Sequence, residues 1–194
     1  MAGKRKTSPR DRLLDTAGDL FQRYGFRAVG IDRILAESGV AKMTLYPHFA
    51  SKDEMIAAYL ERTDARFWAW ADSAMESADS AEAKLRALFD AVGKLASSPE
   101  CLGCVFQGAA MAFPELVHPA HQVALRHKMA VRRRLVGLAR EAKLRDPEGL
   151  AAQLALLLDG AWIAARTFRE HDNPAAGVAA GAKALIEAHR PVRQ

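Results

Sequence analysis

Cysteine is nearly absent from this 194-residue chain: only Cys101 and Cys104 occur, so no disulfide framework staples the fold. Long apolar runs are missing too, and none approaches the roughly 18 consecutive apolar residues of a membrane span. The N-terminus, MAGKRKTSPRDR, is basic but carries no apolar stretch of the kind a secretion signal needs. No stretch shows convincing period-two alternation, which argues against half-buried strands. There is no Ser/His/Asp nucleophile elbow, phosphate loop or dinucleotide fingerprint. Repeats and low-complexity segments are also lacking, apart from Ala/Gly richness over 175–184. These absences predict a soluble, cytoplasmic protein with no membrane partner, no cofactor and no recognised enzymatic constellation.

What is present suffices for a well-buried core, since 50% of residues are hydrophobic and 26% charged. The net charge of +5 is unevenly spread. Residues 1–62 hold 11 Lys/Arg against 8 Asp/Glu, and the remainder 17 against 15. At the N-terminus Lys4, Arg5, Lys6, Arg10 and Arg12 stand against Asp11 alone. A basic arm ahead of a folded segment suits a polyanion.

The chain reads as about nine helices and an all-α fold. In SPRD, Ser8 caps, Pro9 suits the first helical position and Asp11 favours the positive helix end. Leu13, Leu14, Ala17, Leu20, Phe21 and Tyr24 then recur at helical spacing until Gly25. A second helix runs from Ile31 to Ser38 and a very short third begins near Ala41. Ser51 and Glu54 have capping-box spacing ahead of a long helix to about Ala74. Further helices carry Leu85 to Leu95, Val105 to Ala112, and Pro119 to about Arg145. RDPEG introduces a helix holding Leu154 to Phe168, and DNPAAG introduces the last. Such frequent loops exclude a coiled coil.

Helices two and three are joined by ESGVA, the form of a helix-turn-helix corner. Gly39 can take the positive φ of the tight turn, and Val40 lies inward beneath it. In that arrangement the second helix enters the major groove with its N-terminal residues at base edges. Lys42, Met43, Thr44 and Tyr46 are then presented outward, with Leu45 and Phe49 buried. Lys42 suits a guanine and Met43 a thymine methyl. Thr44, Tyr46, His48 and Lys52 suit phosphate oxygens, which position a protein without reading sequence. Pro47 falls in the last turn of the short helix; it removes about one backbone bond and biases Tyr46 away from helical geometry. The reading residues lie upstream of it.

The stretch GFRAVGIDRILAESGVAKMTLYPHFASKDEM resembles the N-terminal domain of the tetracycline-repressor (TetR) family. The residues carrying the likeness are Gly39, Val40, Lys42, Thr44, Leu45, Tyr46, His48, Phe49, Ser51 and Lys52, and the match spans about residues 10–60. The resemblance implies an all-α homodimer with a DNA-binding domain over 1–50 and a ligand-binding and dimerisation domain over 51–194. It further implies a transcriptional regulator, most simply a repressor, on a pseudo-palindromic operator of double-stranded DNA. Half-sites would lie about one helical turn (~34–36 Å) or a multiple apart, and a small-molecule effector would release them. Val29 and Gly30 stand where the family usually has Thr or Ser, and Ala41 where it has Ser, removing hydroxyl contacts.

In the C-terminal half, CLGCVFQGAAMAFPELVHPAHQ and LLLDGAWIAA are similar to segments found in that family's C-terminal domains. Phe67, Trp70, Phe89, Phe106, Met111 and Trp162 form a candidate aromatic pocket, with His127 and Arg166 as polar anchors. Core packing explains aromatics at helical spacing equally well. Gly160, Ala161, Ala164 and Ala165, with Gly177 and Gly181, permit close helix approach and a dimer through the last two helices. Cys101 and Cys104 offer a competing reading as a thiol sensor or, with His118, His121 and Glu115, a metal site. Buried thiols and an ordinary helix start at His118-Pro119 are the plainer account. Eight Lys/Arg between Arg126 and Arg145 against Glu141 alone read first as a solvated helix face.

Overall fold

Ser8 opens the first helix through its own side chain, whose hydroxyl oxygen accepts from the Asp11 N–H at 3.1 Å. From there a computed structural model describes residues 8–169 and 171–191; Lys4, Arg5 and Lys6 of the basic arm lie outside them. The described residues form nine α-helices and one short 3-10 turn, with no strand. The helices are α1 (Pro9–Tyr24), α2 (Ile31–Ser38), α3 (Lys42–Leu45), α4 (Lys52–Met75) and α5 (Ala81–Ala96). They continue as α6 (Val105–Ala112), α7 (Pro119–Glu141), α8 (Pro147–Phe168) and α9 (Val178–Ala188). Asn173 caps the 3-10 turn Pro174–Gly177 just before α9, so DNPAAG starts that turn rather than the last helix directly.

Contacts divide the chain into two compact units. The first holds residues 1–64 and 105–125; the second holds 65–104 and 126–194. In the first, α1 buries Leu13, Leu14, Ala17, Leu20 and Phe21, and α4 buries Met55, Ile56, Tyr59 and Leu60. Gln22 donates to the Tyr59 hydroxyl at 3.0 Å, and Arg62 reaches Asp15 at 2.9 Å, so α1 and α4 are pinned at two levels. Phe26 reaches Phe113, just beyond α6, with ring centroids 6.0 Å apart, while Arg27 Nε donates to the Ala112 carbonyl at 2.7 Å.

The second unit packs around one face of α8. Its inward face, including Leu150, Leu154, Leu158, Ala161 and Trp162, packs among the buried residues of α5 and α9. By length and composition α8 is apolar enough to cross a bilayer; 39% of that stretch is buried within the unit, on the inward face just described. α7 stops at Glu141, short of the expected Arg145. Lys143 adopts φ 55°. The Leu144 N–H then bonds the Ala139 carbonyl at 3.0 Å, and the Lys143 N–H bonds that of Arg140 at 2.9 Å. That pair of bonds is a Schellman stop, which usually has glycine where Lys143 stands.

Candidate nucleic-acid interface

The corner between α2 and α3 depends on Gly39, which sits at φ 65°, ψ 21° and donates its N–H to the Leu35 carbonyl at 3.1 Å. Only glycine takes that geometry without a side-chain penalty. Val40 is buried directly after it. α3 is four residues long, and Leu45 and Phe49, both about 1% exposed, fix it from below. Met43 is 83% exposed and Tyr46 53%; Lys42 is also exposed, while Thr44, His48 and Lys52 are half-buried.

Pro47 lies beyond the last residue of α3, and the helix is short as expected. Tyr46, however, keeps helical angles (φ −60°, ψ −34°) despite preceding a proline. The His48 and Phe49 N–H groups both bond the Leu45 carbonyl, at 2.9 and 3.0 Å. These two bonds, with Leu45 and Phe49 buried, hold one more turn against the local steric bias. Gly30 and Ala41 stand at the N-caps of α2 and α3 without any side-chain hydrogen bond, which matches the missing hydroxyls. The start of α4 is tighter. Ser51 Oγ accepts from the Glu54 N–H at 3.1 Å, and Glu54 reaches back to the Ala50 N–H at 2.7 Å, one residue earlier than a regular capping box.

Electrostatics around this corner are mixed. Lys42 lies 4.0 Å from the carboxylate of Asp32, an exposed acid on α2 that the motif reading passed over. Partial burial lowers the Lys52 amine from its ordinary value; Asp53 opposes the shift and Arg27 adds to it. The Arg10 guanidinium lies over the Phe49 ring at 5.3 Å, and that of Arg33 over Tyr24 at 4.0 Å. Sequence reading counted both only as charge. An aromatic at the matching helix end is the signal that would have found them.

The candidate pocket residues do not form one cluster. Phe106 and Met111 belong to the first unit, where Phe106 is buried and Met111 is 78% exposed. α6 is only eight residues and apolar on most sides, so it had no stripe to say which way Met111 would turn. In the second unit, Phe89 and Trp162 are buried core, and Arg166 is exposed, donating to the Leu102 carbonyl at 3.3 Å. Phe67 and Trp70 contact each other, and Phe67 meets the buried His127 edge-on at 4.8 Å. Beside them lies a narrow apolar cleft between Phe67, Trp68, Met75, Leu88, Leu135 and Leu158, with an interior volume of about 10 Å³, room for about one water.

Cys101 and Cys104 are free and half-buried, and burial raises the Cys101 thiol, which disfavours the reactive thiolate. Among the described residues no group of three His, Cys, Asp or Glu is placed to hold a metal. His118 faces Asp53 at 3.4 Å, and His121 Nδ1 lies 2.8 Å from the Phe113 carbonyl.

A buried three-helix corner with an exposed, polar-tipped third helix defines the helix-turn-helix class. Residues 13–59 match the family described as bacterial regulatory proteins, tetR family. A crystal structure of a TetR-family transcriptional regulator from Streptomyces coelicolor is similar over 93% of this chain and 95% of that one, with TM-score 0.87 and 31% identity. The chain belongs to the TetR family, a family of transcriptional regulators and not of enzymes. Among curated relatives, the transcriptional activator FasR of Mycolicibacterium smegmatis is 43% identical over 53 residues, 27% of this chain and 24% of FasR. The transcriptional repressor ComR of Escherichia coli is 28% identical over 133 residues, 67% of this chain and 63% of ComR. The chain thus spans less than two thirds of the length of either curated relative.

Proposed function

We propose that this chain is a dimeric, site-specific DNA-binding repressor released from a pseudo-palindromic operator by a small-molecule effector. The observation that carries the reading is the exposed row Lys42, Met43 and Tyr46, held rigid by the buried Leu45 and Phe49. Lys42 and Met43 address base edges; Thr44, Tyr46, His48 and Lys52 address phosphates. Residues 1–50 do the reading, and residues 51–194 bind the effector and dimerise. Related proteins carry both regulatory signs. Repression is the simpler of the two, because occupying DNA requires no surface beyond the reading head and the dimer contact.

The dimer contact we assign to the outward faces of α8 and α9. Ala161, Ala164 and Ala165 turn into the unit's own core, and Gly181 meets Leu157 of α8. Facing outward instead are Leu156, Gly160 and Ile163 of α8, with Gly177 beside α9 and Ala180 and Ala184 on it. Two such faces related by a two-fold make an isologous four-helix contact.

Selection of bound sequences from random duplex DNA, with Tyr46→Ala in parallel, tests the reading. An enriched inverted repeat lost in the variant supports it. A folded dimer that enriches nothing removes the repressor reading.

A further inference from the structure

We propose that Asp32 determines sequence specificity: with Lys42 it recognises one G·C base pair in the major groove. Its carboxylate accepts from the cytosine N4 amino group while Lys42 donates to the guanine. This rests on the reading above, in which Lys42 addresses base edges, and extends it to the base on the opposite strand.

Asp32 stands in the first turn of α2, and Lys42 is the first residue of α3. The Gly39 corner joins the two helices, and Lys42 Nζ lies 4.0 Å from Asp32 Oδ1. Both tips face solvent, the Asp32 side chain being 94% exposed and that of Lys42 62%. Other acids near the corner are engaged within the chain. Glu37 holds Arg33 at 2.8 Å, Asp53 faces His118 at 3.4 Å, and Glu54 accepts from the Ala50 N–H at 2.7 Å. Among the described residues the Asp32 carboxylate accepts no hydrogen bond, and its one ion pair is the long one to Lys42. An exposed pair at that distance contributes little to stability. The acid suits the positive end of α2, but an acid elsewhere in that turn would do so equally without meeting Lys42.

Against DNA the same acid is unfavourable, because the head approaches a phosphate polyanion. Its use lies in a contact that only an acceptor makes. Ionised aspartate accepts and does not donate, whereas a lysine ammonium donates and does not accept. In the major groove guanine offers the acceptors O6 and N7, and its paired cytosine offers the N4 amino donor. Lys42 and Asp32 present the complement, a donor beside an acceptor. Their separation of 4.0 Å is comparable with a single base step of roughly 3.4 Å, so the two tips address one pair rather than distant ones.

The wrong pairs are rejected by the same chemistry. A reversed C·G pair sets the carboxylate on guanine's acceptors and the ammonium on cytosine's amino group. Thymine in place of the cytosine meets the carboxylate with its O4 acceptor. Adenine offers an N6 donor, but its N7 acceptor beside it suits an amide better than a carboxylate. Lys42 alone would also take thymine O4 or adenine N7, and Asp32 narrows that choice.

Bound sites are selected from random duplex DNA with the full-length protein, and the enriched site is remade with N4-methylcytosine at each cytosine in turn. The methyl group leaves the pairing and the guanine edge in place but displaces the amino hydrogen in the major groove. At one cytosine of each half-site it should weaken the parent protein about tenfold, while Asp32→Ala should bind both forms equally. That cytosine should pair with the guanine whose preference Lys42→Ala loses. Asp32→Ala should still select that guanine, which also shows that its head is folded. If no cytosine separates the parent from Asp32→Ala, the acid makes no base contact and the inference fails. A guanine preference lost in Asp32→Ala without any cytosine effect makes the acid a brace for Lys42, and likewise overturns it. A parent protein that enriches no site overturns the repressor reading itself, and this contact with it.

Discussion

Replacing Gly18 with alanine sets two effects of opposite sign against each other. In an open helix interior the change favours folding by about 1 kcal/mol, because alanine has the higher helix propensity. Here the added Cβ would lie 2.5 Å from Tyr59 Cε2 and 3.1 Å from its Cδ2. The ring has nowhere to go. Tyr59 is 3% exposed, meets Phe21 edge-on at 5.9 Å, and accepts a hydrogen bond from Gln22 at 3.0 Å. Overpacking of this kind costs about 1–3 kcal/mol, and losing the Gln22 bond about 1 more. The clash therefore wins, for a net loss of about 1–3 kcal/mol. Gly137 is the internal control, since it lies within α7 and nothing stands within 4 Å of its added Cβ. The same substitution there should gain about 0.5–1 kcal/mol. Urea denaturation of both variants, compared at the midpoint and slope, reads the two signs. Gly18→Ala as stable as the parent protein would refute the claim that α1 and α4 are locked at this contact.

Other expectations follow from single contacts. Lys143→Gly should stabilise the protein by about 0.5–1 kcal/mol in the same urea assay, because Lys143 holds a left-handed φ of 55° that costs an L-residue about 1–2 kcal/mol. Glu82 accepts from Arg190 and Arg86, and these bonds, with Arg190's the largest cause, hold its carboxyl below the ordinary range. A depressed folded pKa adds stability above the unfolded value of about 4.3 and loses it as pH falls further. Glu82→Gln should thus cost under about 1 kcal/mol near pH 7, Arg190 being half exposed, and progressively less as pH falls below the unfolded value. Leu156→Glu with Ile163→Glu should convert the dimer to a folded monomer in sedimentation velocity; a persistent dimer moves the interface off α8.

Local signals were legible in the sequence wherever one residue type meets one backbone need. Ser8 caps α1 and Gly39 makes the corner, as their chemistry requires. Leu45 and Phe49 are buried because their spacing puts them on one side of α3 and its trailing turn. Lys143 was not legible. A lysine gives no local sign of a left-handed stop, which here is imposed by burial of Leu144 and the bond from its N–H to Ala139. Tyr46 misled in the opposite direction, since the local rule for a residue before proline lost to two bonds on the Leu45 carbonyl.

The candidate effector site was the least legible part, for a reason of distance rather than of chemistry. Aromatic residues at helical spacing announce burial, but whether they line a space or fill one depends on residues of other helices, such as Leu88, Leu135 and Leu158 around Phe67. Phe67 faces the cleft, whereas Phe89, at an equally apolar position on α5, is fully enclosed. Arg134 was visible only as one of eight Lys/Arg between Arg126 and Arg145. Its distinction comes from Asp72 on α4, 62 residues earlier in the chain, and from Leu88 on α5. Only a fold that brings those helices together sets Arg134 against the Asp72 carboxylate on one side and apolar neighbours such as Leu88 and Leu135 on the other.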